Sequence, residues 1–245
     1  MRIKDKIETI DYDETKHFFK RRAEKFKENN PYAVTMYQDN NAELVKARNE
    51  KETQKLLPKL KITSNSKILD VACGIGRWAD VLPENIKEYC GVDFSAELIE
   101  IANKRNRKEN FSFYEGAATS VDAVLRENKK GTYNRFLLIG ILIYLNDTDV
   151  SCVLSQLEKN CEEHGIICVR EPIGLVERLT LKDFYSEELR DNYNAIYRSR
   201  DELVKFFEAT LLEKGFKIQE EGFVFEEDAL NNRKETAQYY FILER

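Results

Sequence analysis

The sequence is poor in the residues that bind metals and cross-link chains. It holds two histidines, His17 and His164, far apart, and no H-x-x-x-H or carboxylate triad accompanies them. No metal site is therefore expected. The five cysteines are odd in number and lack a Cys-x-x-Cys pair. That excludes a disulfide scaffold and reads as reduced thiols. No apolar run approaches membrane-spanning length; the longest, Phe136–Leu145, suits a buried strand. The opening Met-Arg-Ile-Lys-Asp-Lys carries no apolar leader core, so a cytoplasmic protein is expected. Positive charge is not in excess either. Lys and Arg number 39 against 44 acids, for a formal net charge of -5, and no basic tract interleaves with aromatics. Nucleic acid is thus not an expected partner. No internal repeat or low-complexity tract occurs.

What is present is a chain of 245 residues with 42% apolar content, enough for a sizeable core. Residues 1–60 read as helical, charged and aromatic, broken at Asn-Asn-Pro (29–31), with a second helix over about 41–57. From Lys67 the texture alternates. Strands are predicted over 67–71, 88–93, 111–115, 133–143 and 165–171, and helices over 77–82, 95–108, 119–128 and 147–163. Such alternation implies a parallel sheet covered on both faces. Residues 172–198 interrupt it and read as a partly helical insertion. Ser199 with Glu202 forms a capping-box pattern that opens a helix ending near Gly215. Two final strands, 216–226 and 236–244, are joined by the polar stretch 228–235 and suit an antiparallel pair. The expected architecture is α/β, with a Rossmann-like, mostly parallel sheet of seven strands. Residues 1–60 form a helical lid and 61–245 the ligand-binding domain.

Residues 67–76, Lys-Ile-Leu-Asp-Val-Ala-Cys-Gly-Ile-Gly, are the most informative stretch. An apolar strand carries Asp70 and breaks into a turn at Gly74 and Gly76, where only glycine lets a ligand lie against the main chain. A helix over 77–82 would offer its N-terminus to an anionic group. Asp93 closes the next strand, where a carboxylate can accept bonds from ribose hydroxyls. Gly74-Ile-Gly76-Arg-Trp-Ala79 also satisfies the dinucleotide fingerprint G-x-G-x-x-G/A, so an NAD(P)-dependent oxidoreductase is a competitor. Against it stand Asp70 inside the first strand, some sixty helical residues before the cradle, and the antiparallel end of the chain.

Asp70-Val-Ala-Cys-Gly-Ile-Gly together with Asp93-Phe-Ser resembles the class I S-adenosylmethionine-dependent methyltransferases, over roughly residues 60–245. The resemblance implies S-adenosylmethionine as methyl donor and S-adenosylhomocysteine as product. It puts Asp70, Ala72, Gly74, Gly76 and Trp78 along the methionyl side, and Asp93 on the ribose. Phe94 and Ser95 would lie near adenine, and Ile139, Gly140 and Tyr144 under the reacting methyl. Many members carry an acid after the third strand. Here that loop reads Glu115-Gly-Ala-Ala118, so a backbone contact from Ala117 or Ala118 takes its place.

Two stretches rich in tyrosine and arginine could cover this edge. They resemble small-molecule methyltransferases of bacterial surface-polysaccharide biosynthesis. By analogy, Tyr37 or Arg48 would hold the cofactor carboxylate. Tyr32, Arg170, Arg178, Tyr193, Tyr197 and Arg198 would bind a small anionic acceptor of phosphate or sugar type, because arginine forks onto anions and tyrosine gives a flat wall with a polar tip. Each arginine could equally serve in a solvated ion pair. General-base candidates are Glu171, at the ligand-facing end of its strand, with His17 and Tyr144. His164 reads as a helix C-terminal charge. A non-catalytic partner subunit on the same fold is the remaining alternative. Oxygen or nitrogen as the methyl acceptor, and monomer or homodimer, stay open.

Overall fold

The computed structural model describes residues 1–37, 39–187, 189–227, 230–231 and 233–245. Three positions of the polar connection expected at 228–235 thus lie outside the described residues. Seven strands form the main sheet: β2 (Lys67–Val71), β3 (Glu88–Asp93), β4 (Phe111–Glu115), β5 (Tyr133–Ile139), β6 (Cys161–Gly174), β9 (Lys217–Phe223) and β10 (Thr236–Glu244). Their order is β4-β3-β2-β5-β6-β10-β9. The first five run parallel, and β10 pairs antiparallel with both β6 and β9. The sheet is the seven-stranded, mostly parallel one that the alternation predicts.

The central strands are buried on both faces. Ile68, Leu69, Val71, Phe136, Leu137, Leu138, Ile167 and Val169 are all fully covered, as parallel strands between helical layers must be. Helices α4 (Ala96–Arg105), α5 (Val121–Glu127), α6 (Asp147–Lys159) and α7 (Arg200–Thr210) follow β3, β4, β5 and the β6 excursion. Ser95 caps α4 by accepting from the Leu98 N–H, and Ser199 with Glu202 completes the capping box of α7. Gly215 takes a left-handed φ of 93° after the short 3-10 turn that ends this unit.

Three expectations are corrected. Residues 77–82 form consecutive turns rather than a helix. Only six residues separate Gly76 from Pro83, too few for a stable i→i−4 ladder, and proline then closes the run. The expected helix N-terminus therefore does not back the glycine turn. Residues 172–198 are not helical: they build the hairpin β7 (Leu179–Ser186) and β8 (Asp191–Tyr197), joined at its outer side by β1 (Arg2–Lys4) into a separate three-stranded sheet. Leu179–Leu181 and Tyr193–Tyr197 are buried without a break, so this part of the hairpin is covered on both faces. Finally β5 stops at Ile139. Gly140 turns at a φ of 79°, and Leu142–Tyr144 form a 3-10 turn where strand was expected.

Before the sheet, α1 (Tyr12–Glu24), α2 (Ala33–Met36) and α3 (Ala42–Leu56) run across its ligand-facing edge. Phe18 and Phe19 of α1 pack edge-on against Tyr193, Phe94 and Tyr144, and Arg21 forks onto Asp191 at 2.8 Å for both bonds. Among the described residues no helix is long and apolar enough to cross a membrane.

Candidate functional site

A cleft of about 970 Å³, open mouth included, lies beyond the carboxyl ends of β2, β5 and β6. Ligands of open α/β sheets bind at this edge. Its floor is Asp70, Ala72, Ile139, Gly140 and Arg170; α2 and α3 bring Tyr37, Arg48 and Glu52; β8 brings Tyr193 and Tyr197.

The glycine turn is built as the sequence implies. Ala72, Gly74 and Gly76 all have positive φ, of 63°, 55° and 75°. A Cβ on Gly76 would come within 2.8 Å of Asn106 Nδ2 and 2.9 Å of Phe113 Cε1, and one on Gly74 within 2.9 Å of the Thr35 methyl. The cradle is thus closed to any larger residue. The buried Asp93 carboxylate accepts from the Gly74 and Ser95 N–H groups, each at 2.9 Å. Those two bonds tie the turn to the start of α4 and leave the carboxylate further acceptor positions. Burial pushes its pKa up to about 6, against the pull of the two N–H groups. Burial likewise pushes Asp70 up to about 7, although the Tyr89 hydroxyl donates to it at 2.7 Å. The Trp78 indole N–H is buried and has no acceptor, on a side chain that lines the cleft.

Gly74, Gly76 and Asp93 are not among the residues lining the cleft, and the remaining expected nucleotide-side residues also lie outside it, along the edge of β3 and β4. Phe94 is half-buried under Phe19, Ser95 serves as the α4 cap, and Ala117 is exposed beside the half-buried Ala118.

The expected acceptor residues divide. Arg170, Tyr193 and Tyr197 line the cleft. Arg178 and Arg198 do not: both are buried around Asp147, at 2.8 and 2.5 Å, and Arg198 also donates to the Leu142 and Leu145 carbonyls. They brace the β5 exit rather than meet a ligand. Tyr32 donates to Asp80 at 2.8 Å, under the Arg105 guanidinium, also outside the cleft.

Two of the three base candidates are likewise displaced. His17 is exposed on the solvent face of α1. Glu171 is buried, with its carboxylate accepting from the N–H groups of Ile141 and Leu142 at 2.8 Å and of Ile143 at 3.2 Å. It anchors the turn after β5. Burial pushes its pKa up to about 7, opposed by those N–H groups and the Arg170 charge. Glu171→Ala should therefore cost about 3 kcal/mol of stability, since it orphans three buried donors; urea unfolding at pH 7 measures it, and a loss under 0.5 kcal/mol would refute the anchoring role. Tyr144 does line the cleft. Its hydroxyl meets those of Tyr37 and Tyr193, the latter at 3.1 Å.

Sequence reasoning missed the ionic centre of the site. Glu52, on α3, lies 2.5 Å from Arg77 Nη2 and 2.8 Å from Arg170 Nε. Burial opposes its ionisation, but the Arg170 and Arg77 charges prevail and hold its pKa below the usual carboxylate range. Arg77 also donates to Asn49 at 2.7 Å, and Arg170 to Gln238 at 3.1 Å. Arg48 donates to the Leu230 carbonyl at 2.8 Å, and Arg233 to the Tyr197 hydroxyl at 2.9 Å. Among the described residues no group of histidine, cysteine and acidic side chains has a metal-binding arrangement.

Residues 68–165 match the model of a methyltransferase domain. No curated protein matches the chain by sequence. Among solved structures it is similar to a Haemonchus contortus phosphoethanolamine N-methyltransferase bound to phosphoethanolamine and S-adenosylhomocysteine. The TM-score is 0.70 at 18% identity, over 95% of this chain and 48% of that one. The chain thus spans about half the length of that enzyme. An S-adenosylmethionine-dependent methyltransferase from Leishmania major gives a TM-score of 0.62 at 15% identity, over 97% and 87% of the two chains. A Listeria monocytogenes protein described as a putative methyltransferase of the same kind gives 0.60 at 15%, over 80% and 97%. The fold is the Rossmann-like methyltransferase fold.

Proposed function

We propose that this chain transfers a methyl group from S-adenosylmethionine to a small anionic acceptor. The observation that carries the reading is the closed glycine turn at 74–76 tied to Asp93, within the span that matches the methyltransferase domain. When bound, S-adenosylmethionine supplies an electrophilic methyl on sulfur. The chain's own work is to bind, orient and keep water out. Gly74 and Gly76 give the backbone approach, and Asp93 offers its remaining lone pairs to the ribose hydroxyls. Arg48 or Tyr37 holds the carboxylate, and the orphaned Trp78 N–H gains an acceptor. The sheet order, with β10 inserted antiparallel beside β6, favours this over nicotinamide chemistry.

The acceptor's anionic character rests on charge. Arg77 and Arg170 line the cleft and share the one carboxylate of Glu52 between them. The phosphoethanolamine bound by the Haemonchus enzyme is an acceptor of that kind. A place in surface-polysaccharide biosynthesis, and a cytoplasmic setting, rest on the sequence alone. Residues 1–60 act as a lid: Phe19 lies on Phe94, and the Thr35 methyl lies on Gly74. Hydrogen exchange over 12–37 should slow several-fold when S-adenosylhomocysteine binds; unchanged exchange would refute the lid.

Calorimetry with S-adenosylhomocysteine tests the reading, with NAD and NADP as the contrary ligands. Heat from a nicotinamide nucleotide alone would overturn it. Its pH dependence has a definite sign. In the free protein Asp93 and Asp70 are raised to about 6 and about 7, so the stability linked to their protons is present in acid and lost as pH rises through 6 to 7. Ribose hydroxyls favour the ionised Asp93. The rise in melting temperature caused by S-adenosylhomocysteine should therefore be larger at pH 8 than at pH 5.5, and Asp93→Asn should flatten the difference.

A further inference from the structure

Arg170 of β6 lies on the floor of the cleft, and two other elements fix its guanidinium. Glu52 Oε2, from α3, lies 2.8 Å from Nε, and Gln238 Oε1, from β10, accepts from Nη1 at 3.1 Å. The sheet register explains the second contact. Tyr240 pairs with Arg170 and Gln238 with Pro172. Gln238 is therefore the diagonal neighbour of Arg170 on one face of an antiparallel pair, within reach of a long side chain. The main chain of Gln238 is fixed in turn: its N–H donates to Asn231 Oδ1 at 3.1 Å, and its carbonyl accepts from the Val224 N–H at 2.8 Å. Gly140 leaves the space. Its φ is 79°, and a Cβ there would come within 3.0 Å of Arg170 Nη1. The guanidinium thus lies against the bare backbone of the β5 exit.

Chemistry fixes which way the amide faces. A guanidinium only donates, so the oxygen of Gln238 faces it and the NH₂ group turns away. Among the described residues neither that NH₂ group nor Arg170 Nη2 has a hydrogen-bond partner, and both residues line the cleft. Charge follows the same division. Arg170 shares Glu52 with Arg77, and the next residue along its strand, Glu171, is taken up by three backbone N–H groups. Gln238 orients the cation and adds no negative charge. A carboxylate in its place would orient the guanidinium and neutralise it together.

We propose that Gln238 is a positioning residue of the acceptor site, which aims Arg170 at an oxyanion of the acceptor, a carboxylate or a phosphate-type group, and leaves the arginine charge uncancelled. The proposal rests on the methyltransferase reading and deepens it by naming the residue that sets anion recognition. A guanidinium held at two of its nitrogens has less rotamer freedom to lose when a ligand arrives. Its open edge presents donors in a fixed plane, which suits the paired oxygens of such a group.

The test titrates the S-adenosylhomocysteine complex of the full chain with sodium phosphate and, separately, with sodium acetate, by calorimetry at constant ionic strength. At least one should bind in the millimolar range, and which one does so separates a phosphate-type acceptor from a carboxylate. Gln238→Glu should weaken that anion about tenfold, while the melting temperature holds or rises because the new carboxylate pairs with Arg170. Gln238→Leu keeps the charge and loses the orienting bond, so the affinity should fall about threefold. An amide that only packs the wall would leave the anion affinity of both variants at the parent value, and that result would overturn the proposal. Binding of neither probe would overturn it as well. So would an anion that binds the ligand-free protein and is displaced by S-adenosylhomocysteine, which would give the site to the carboxylate of the cofactor. Absence of heat from S-adenosylhomocysteine itself would instead bring down the methyltransferase reading on which the proposal stands.

Discussion

Glu52→Gln should lower the unfolding free energy at pH 7 by about 3 kcal/mol, among the largest losses available to one substitution here. The carboxylate is almost fully buried, as is its partner Arg77, and Arg170 is largely covered. An amide of the same shape keeps the packing but leaves two guanidinium charges in a low-dielectric site with no anion between them. Breaking a buried pair by removing one partner costs far more than the pair contributes against an apolar replacement. The sign with pH follows from the depressed pKa. The contribution is present above the ordinary carboxylate value and is lost as pH falls through the lower folded value. Urea unfolding curves of Glu52→Gln and the parent should thus lie far apart at pH 7 and draw together in strong acid. A gap below 0.5 kcal/mol at neutral pH would mean that the arginines are neutralised some other way. Because Arg77 follows the glycine turn and Arg170 floors the acceptor side, the same variant should also weaken binding on both sides of the cleft.

That centre was invisible in the sequence for a physical reason. Glu52, Arg77 and Arg170 come from a helix, a turn and a strand end, and nothing local to any of them marks a partner. In a chain with 34% charged residues, a glutamate on a helix reads as solvent-facing. The glycine turn and Asp93 were legible because their constraint is local: a strand, a turn that forbids a Cβ, and an acid at the next strand end. The seven-strand sheet was legible from period and spacing alone. The hairpin at 179–197 was not. Both its faces are buried over 179–181 and 193–197, Thr180 and Asn194 among them, and a register shift between Leu181 and Phe184 interrupts the pairing, so no period of two marks it. Glu171 shows the limit of position as a signal. It ends up at the ligand-facing edge, as read, yet its side chain turns to the backbone N–H groups that β5 leaves unpaired on its exit. Arg178 and Arg198 fail likewise, drawn inward by Asp147.

Asp93→Ala should weaken S-adenosylhomocysteine about 100-fold, equivalent to ~3 kcal/mol, by removing charge-assisted bonds to the ribose. Two effects contribute, and they separate by experiment. The carboxylate is the proposed ribose partner, and it also holds the Gly74 and Ser95 N–H groups at 2.9 Å. Its loss loosens the cradle and the first turn of α4, so the ligand-free melting temperature should fall as well. Calorimetry at 15 °C, well below that transition, reads affinity without the contribution from unfolding. Asp93→Asn supplies the second measurement. Its amide oxygen can still accept from one of the two N–H groups, so its stability should lie between those of the parent and the alanine variant. Its affinity should stay near that of the alanine variant, because the negative charge is gone. Wild-type affinity in Asp93→Ala would place the ribose elsewhere along the edge of β3. Lost stability with intact affinity in both variants would make Asp93 a brace for the turn and nothing more.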